Sequence, residues 1–413
     1  MSVNPDDAAH TGDNSQSTSR SLGAAIWRRL LPRFESGRLT VELPSGRRLV
    51  LEGRRAGTEA QLTIRRWRGI SRLAAGGDVG FADAYVAGEF TSPDLSRLLT
   101  LAAQNWSPTT EPLHWRIPNL LLKLRHARNR NTLSGSRRNI EAHYDLGNDF
   151  FAHWLDPSMN YSSALFTAPG ETLEAAQTAK LDRVIDLLDL ENSAARVLEI
   201  GCGWGAFAER LLSRTDATLV GITISPQQFD YANERLRARG LAERAELRLQ
   251  DYRELGEQFD RIVSIEMIEA VGEAYWPIYF RKIYDNLRPG GIAVIQAITI
   301  AADRYDSYRR RPDFIQKYVF PGGMLPTVPI LQEQIAAAGL RLVSAETFAM
   351  SYARTLAEWQ RRFQRAWPSI RDGGFDERFK RIWEYYLAYC EAGFATGAID
   401  VGHYTMLKPA DAP

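Results

Sequence analysis

The sequence predicts an α/β protein, with a seven-stranded, doubly wound sheet preceded by a small α+β domain. Three observations carry this expectation. From about residue 139, apolar runs of strand length alternate with helix-length segments, the pattern of parallel strands with covering helices. The first of those strands ends in alternating glycines that enter a helix. Before them, residues 21–106 pass from two-residue alternation to helical spacing.

Residues 1–20 carry Asn, Asp, Ser, Thr and Gly without an apolar period, which predicts a disordered tail. From Arg38, RLTVELPSGRRLVLEG alternates apolar and polar residues around Pro44-Ser45-Gly46 and reads as a hairpin. A strand at 60–67 and helices at 80–90 and 94–106 complete the small domain. Strands are then expected at 196–203, 217–225, 245–251, 259–266 and 291–298, the last after a Pro-Gly-Gly turn. The stretches 340–350 and 398–407 add two more, and Leu356–Trp367 and Phe379–Phe394 read as covering helices.

Over 413 residues, 51 basic and 50 acidic side chains leave a net charge of +1, so nucleic acid is not an expected partner. Two cysteines, Cys202 and Cys390, are too few for a disulfide scaffold or a zinc cluster and fit a reducing compartment. No apolar run reaches the ~18–20 residues of a membrane span. The polar start lacks a signal-peptide pattern, and a soluble cytoplasmic protein is expected. The charge balance conceals a segment without acids between Glu111 and Glu141. There Arg116, Lys123, Arg125, Arg128, Arg130, Arg137 and Arg138 lie among Trp115, Ile117, Leu120 and Leu124. Two readings of 107–138 stay open: a solvated linker, or a surface drawn to anionic lipid headgroups at ~1 kcal/mol per basic side chain. The second places the protein peripherally on the inner face of a membrane.

The strongest chemical signal is V-L-E-I-G-C-G-W-G (197–205), leaving a strand and entering a helix. Gly201, Gly203 and Gly205 allow a sharp turn and close ligand approach. The third glycine comes one residue too early for the dinucleotide fingerprint. E-x-G-x-G-x-G resembles motif I of class I S-adenosylmethionine-dependent methyltransferases, although a purely structural turn has the same composition. The second strand ends in G-I-T-I-S-P-Q-Q (221–228) with no carboxylate for a ribose. Asp251 and Tyr252, after the third strand, are candidates for an adenine, unless Tyr252 is an ordinary half-buried aromatic.

Further stretches make the resemblance specific: I-E-A-H-Y-D-L-G-N-D-F-F (140–151), L-D-P-S-M-N-Y-S-S-A (155–164), F-D-R-I-V-S-I-E-M-I-E-A-V-G (259–272) and K-Y-V-F-P-G-G-M-L-P (317–326). The sequence resembles the cyclopropane fatty acid synthase family, which includes the mycolic acid cyclopropane synthases. The small domain at 21–106 resembles the extension of its phospholipid-acting members. This implies a class I methyltransferase, Rossmann-like fold and S-adenosyl-L-methionine as cofactor. By resemblance, Tyr161 and Ser162 contact the methionine part, Gly201 and Gly203 its back, Thr223, Ile224 and Gln228 the ribose, and Asp251 with Tyr252 the adenine, with Glu199 a further cofactor-binding candidate. His143 is structural or at the cofactor's edge. A homodimer is also implied.

The reaction so implied begins when a cis double bond of an unsaturated phospholipid acyl chain attacks a sulfonium methyl. Proton loss from the new methyl then closes a cyclopropane ring. The alkene is a weak nucleophile, so alignment supplies much of the rate, and a base must collect the proton. In the family that base is often a bicarbonate ion, whose positions correspond to Ser163, Glu269, Gln296, Ile298 and Tyr352. Two positions depart from the pattern: Ser163 replaces a Cys and Gln296 a His, and Gln cannot titrate. Glu269 also has a plain reading as a helix-start acid. The altered base set leaves a second outcome open, C-methylation to a methyl-branched, methylated-alkene or methylene chain. A catalytically silent lipid-binding protein and a small-molecule methyltransferase fit the residues less well. Phe150, Phe151, Tyr318, Phe320 and Trp359 are candidates for an apolar tunnel lidded by about 300–340, though any one of them is more simply core.

Overall fold

Alternation places Leu39 and Val41 of β1 (Ser36–Glu42) on one buried face, opposite Leu51 and Leu49 of β2 (Arg48–Glu52). The hairpin turn closes where the Gly46 N–H donates to the Leu43 carbonyl at 2.8 Å. The computed structural model from which these elements are read describes residues 34–105, 146–190 and 194–411. The expected tail at 1–20, the basic segment with Arg125, Arg128 and Arg130, and His143 lie outside the described residues.

β3 (Arg55–Ile64) runs parallel to β1, and the short β4 (Phe90–Thr91) closes a sheet of order β2-β1-β3-β4. β3 begins earlier than the expected 60–67. Backbone pairing with β1 carries the strand through Arg55–Glu59, whose side chains give no apolar alternation. The helix expected at 80–90 is the second half of a longer one, Trp67–Val86, interrupted at Gly77 (φ 57°, ψ −135°). Helix Leu95–Gln104 starts where the Asp94 carboxylate accepts the Arg97 N–H, and buries Leu95, Leu98, Leu99 and Leu101.

All seven expected strands of the large sheet form. They are β5 (Arg196–Ile200), β6 (Thr218–Thr223), β7 (Ala245–Leu249), β8 (Phe259–Ile265), β9 (Leu287–Ile300), β10 (Arg341–Thr347) and β11 (Ile399–Leu407), in the order β10-β11-β9-β8-β5-β6-β7. The chain steps outward from β5 through β6 to β7, then crosses back to place β8 on the other side of β5. This reversal opens a crevice beyond the carboxyl ends of β5 and β8, where open α/β sheets bind ligands. β11 enters antiparallel between β9 and β10, and sets His403 opposite Gln296.

The covering helices Ala349–Asp372 and Glu377–Ala395 complete an aromatic core. Phe150 meets the Trp383 ring edge-on at 5.0 Å, and Trp154 meets Trp359 at 5.6 Å. The same helices receive the small domain. Ser96 Oγ donates to Glu391 Oε2 at 2.6 Å, and Tyr85 OH to Glu384 Oε2 at 3.0 Å. Asp83 accepts from Lys317 Nζ and from Tyr318 OH, each at 2.7 Å. Leu39, Leu95 and Leu98 thus belong to one hydrophobic cluster with Trp154 and Trp359. Among the described residues, no helix is long and apolar enough to cross a membrane.

Candidate active site

The glycine turn after β5 is pinned to β6: the N–H groups of Gly201 and Cys202 both donate to the Ile222 carbonyl, at 3.0 and 2.9 Å. Gly201 and Gly205 have φ of 82° and 81°, a region strained for residues with a Cβ. A Cβ on Gly201 would also lie 3.2 Å from Met267 Cγ. One on Gly203 would meet nothing within 4 Å, so this part of the turn faces open cavity.

At the end of β6, Thr223 Oγ1 donates to Gln228 Oε1 at 2.9 Å, which directs the Gln228 amide nitrogen elsewhere. Ser225 caps the helix Pro226–Ala238 that carries Gln228. Beyond β7, Asp251 accepts from Arg253 Nε at 2.8 Å and from its terminal nitrogen at 2.6 Å. The same guanidinium lies 5.5 Å from the centre of the Tyr252 ring. Lys180, fully buried, donates to Ser162 Oγ at 2.7 Å, and burial lowers its ammonium to about 8. Glu199 is buried with Oε2 unpartnered, and burial raises its carboxyl well above the ordinary range against the opposing charge of Lys180.

All ten cofactor-binding candidates line one cavity of about 1180 Å³. S-adenosylmethionine fits them. An amino-acid head with an ammonium and a carboxylate matches the orphaned Glu199 oxygen and the Lys180 ammonium, and the open side of Gly203 leaves room for close approach.

The residues assigned to the base surround a carboxylate that the motif comparison passed over. Glu266, just past β8, accepts the Ser163 N–H at 2.8 Å and the Gln296 Nε2–H at 2.7 Å on Oε1, and the Tyr352 OH at 2.8 Å on Oε2. Glu266 and Tyr352 line the cavity, while Ser163 and Gln296 are buried behind Glu266 and do not reach the cavity wall. Gln296 Oε1 lies 3.0 Å from His403 Nε2. Burial holds that imidazole neutral, lowering it to about 3, so it donates to the amide oxygen. A histidine is therefore present behind position 296, one strand away.

Glu269 also lines the cavity. Its Oε1 accepts the Ile298 N–H at 2.6 Å, and its Oε2 has no partner. Burial, then the nearby Glu266 charge, pushes this carboxyl up to about 8. Burial raises Glu266 too, but its three donors and Lys180 oppose that shift. Of two neighbouring carboxyls, the one with three donors keeps the charge and the other keeps the proton.

The cavity continues between segment 304–325 and the small domain. Tyr308, Phe320 and Met324 form one wall, and Leu39, Leu62, Leu98, Leu99 and Leu101 another. Among the aromatic candidates only Phe320 faces it. Phe150, Phe151 and Trp359 are core, and Tyr318, which bonds Asp83, does not line the cavity. Glu266, Lys180 and Arg253 were missed from sequence. An acid at the carboxyl end of a strand beside the switch point was the available signal for Glu266; a lysine inside an amphipathic helix carries none.

Comparison with known proteins identifies the family. The family profile described as mycolic acid cyclopropane synthetase matches residues 131–404. The chain is 41% identical over 346 residues to the tuberculostearic acid methyltransferase of Mycobacterium tuberculosis, covering 82% of this chain and 80% of that one. It is 37% identical over 328 residues to the cyclopropane-fatty-acyl-phospholipid synthase of Escherichia coli, covering 78% and 81%. The crystal structure of a mycolic acid cyclopropane synthase complexed with SAH superposes with a TM-score of 0.62 at 30% identity, covering 66% of this chain and 98% of that one. On these grounds the chain belongs to the mycolic acid cyclopropane synthetase family, enzymes that use S-adenosylmethionine to modify lipid double bonds.

Proposed function

We propose that the protein transfers a one-carbon unit from S-adenosylmethionine to a cis double bond of an unsaturated phospholipid acyl chain and closes a cyclopropane ring. One observation carries this reading: a single cavity joins the cofactor-binding candidates to leucines of the small domain, with two carboxyls and Tyr352 in its wall. At about 1180 Å³ it exceeds the ~300–1,000 Å³ of ordinary ligand pockets and has room for a second, elongated apolar ligand.

The bound cofactor supplies the electrophilic sulfonium methyl. Tyr161, held by a 2.8 Å hydrogen bond with Tyr386, and Tyr352, stacked on Phe394 at 4.4 Å, border the place where the chain becomes cationic. Ring faces stabilise such a cation without competing for the methyl. Leu98, Leu99 and Leu101 exclude water from the chain, which protects the cation from capture. The basic segment 107–138, without an acid after Glu111, suits delivery of the chain from an anionic bilayer surface.

The decisive experiment incubates the protein with S-adenosylmethionine and vesicles of dioleoyl phosphatidylglycerol, then identifies the released fatty acids. A cyclopropane product supports the reading. An unaltered acyl pool, with folded, cofactor-binding protein, rejects it. A second reading, C-methylation of the same double bond, has one observation in its favour: the methyltransferase relative matches more of this chain than the cyclopropane synthase does. Methylated alkenes have the mass of the cyclopropane product and separate from it by retention.

A further inference from the structure

We propose that Glu266 is the base of this enzyme, a carboxylate built into the chain where a bound bicarbonate ion was expected. The inference rests on the lipid-modifying reading above and applies to either product.

Bicarbonate does not fit the residues present. Three of its expected donors, the Ser163 N–H, the position-296 side chain and the Tyr352 OH, end on Glu266, and the fourth, the Ile298 N–H, ends on Glu269. Ser163 and Gln296 are buried and do not line the cavity, whereas Glu266 does. A free anion would have to displace Glu266 and leave its charge without donors.

The geometry also selects the reacting oxygen. A carboxylate offers about four lone pairs. Oε1 uses two on Ser163 and Gln296, and Oε2 uses one on Tyr352, so the remaining acceptor site belongs to Oε2. The backbone supports the same conclusion. Glu266 has φ 49°, a left-handed conformation uncommon outside glycine, asparagine and aspartate. Strain of this kind persists where surrounding structure over-determines it, commonly at active sites. Here the ends of β8 and β9 impose it: the Glu266 N–H donates to the Gln296 carbonyl at 2.8 Å while the side chain accepts from the Gln296 amide.

In the step assigned to Glu266, a C–H bond of the new methyl, or of the adjacent chain carbon, breaks. Its electron pair forms the ring-closing C–C bond or the new alkene, and neutralises the cation. The proton passes to Oε2, leaving Glu266 as a neutral acid that returns it to water before the next turnover. His403 is neutral and Gln296 cannot titrate, so the row behind Glu266 orients the carboxylate and carries no proton.

The test uses the full chain with S-adenosylmethionine and dioleoyl phosphatidylglycerol vesicles in carbonate-stripped buffer, reading S-adenosylhomocysteine release, cofactor affinity by calorimetry, and binding of ¹³C-bicarbonate by NMR. The wild type is expected to turn over without bicarbonate and to leave its signal unshifted. Glu266→Gln should lose roughly 10²–10⁴-fold in turnover with cofactor affinity retained. Glu266→Gly suits the backbone and vacates the carboxylate's place. It should be inactive in stripped buffer, bind bicarbonate, and regain at least about tenfold in turnover when the ion is added. A wild type that binds bicarbonate and stops without it, or a Glu266→Gln variant of undiminished turnover, overturns the proposal. A wild type inert toward every unsaturated phospholipid rejects the lipid reading instead. The NMR comparison of wild type with Glu266→Gly then still decides whether the carboxylate occupies the anion's place.

Discussion

His403 lies directly opposite Gln296 in the antiparallel ladder of β11 and β9, with its Nε2 3.0 Å from the Gln296 amide oxygen. That contact fixes which end of the amide points at Glu266. Replacing Gln296 with Leu removes a donor from the carboxylate, and losing a donor raises a carboxyl's pKa. The acid limb of the turnover profile should move to higher pH in Gln296→Leu while cofactor affinity stays level. A uniform loss of activity with an unshifted profile would mean that Gln296 only packs.

Tyr352→Phe deletes the donor to Glu266 Oε2 and keeps the ring stacked on Phe394. Hydrogen bonds to charged groups contribute roughly 1.5–3 kcal/mol, so the melting temperature should fall by several degrees. The acid limb should again move upward. An unchanged pH profile and melting temperature would refute the contact.

Glu269 ties stability to pH. Its carboxyl titrates near 8 in the folded protein, pushed up by burial and by Glu266, against 4.5 as the reference value. Between those values the folded state holds a proton that the unfolded chain has released, so stability falls as pH rises through this window. Glu269→Gln keeps an acceptor for the Ile298 N–H and removes the titration. Its melting temperature should gain on the wild type steadily from pH 5 to pH 8. Parallel curves would place the Glu269 titration outside that range.

Gly201→Ala is expected to lose stability by roughly 1–3 kcal/mol, because the left-handed backbone opposes a Cβ there. The added methyl also approaches Met267 Cγ at the crevice. Calorimetry should record weaker S-adenosylmethionine binding as well. Normal affinity would move the cofactor away from the glycine turn.

Leu99→Phe adds bulk to the apolar wall contributed by the small domain. Fatty-acid analysis after reaction with mixed vesicles should record a shift from 18-carbon toward 16-carbon chains. An unchanged distribution would remove Leu99 from the chain's path.

Much of this architecture follows from local sequence. Apolar runs such as Val197–Ile200 and Leu219–Ile222 state their strands directly, because central parallel strands are buried on both faces. The glycine turn is equally legible, since chain geometry at φ near 80° excludes most other residues. The start of β3 and the first half of helix Trp67–Val86 were not legible. Their residues lack a clear apolar period, and pairing or packing with distant segments holds them in place.

The site divides along the same line. The sequence alone pointed to the cofactor half, where every candidate but Tyr161 and Ser162 sits within a few residues of a strand end. Only the tertiary structure decided the base. Ser163, Glu266, Gln296, Tyr352 and His403 come from five separate segments and meet because β8, β9 and β11 lie side by side. Which carboxyl holds the charge depends on donors counted in space, and on the desolvation that makes each donor matter. No spacing along the chain encodes either quantity.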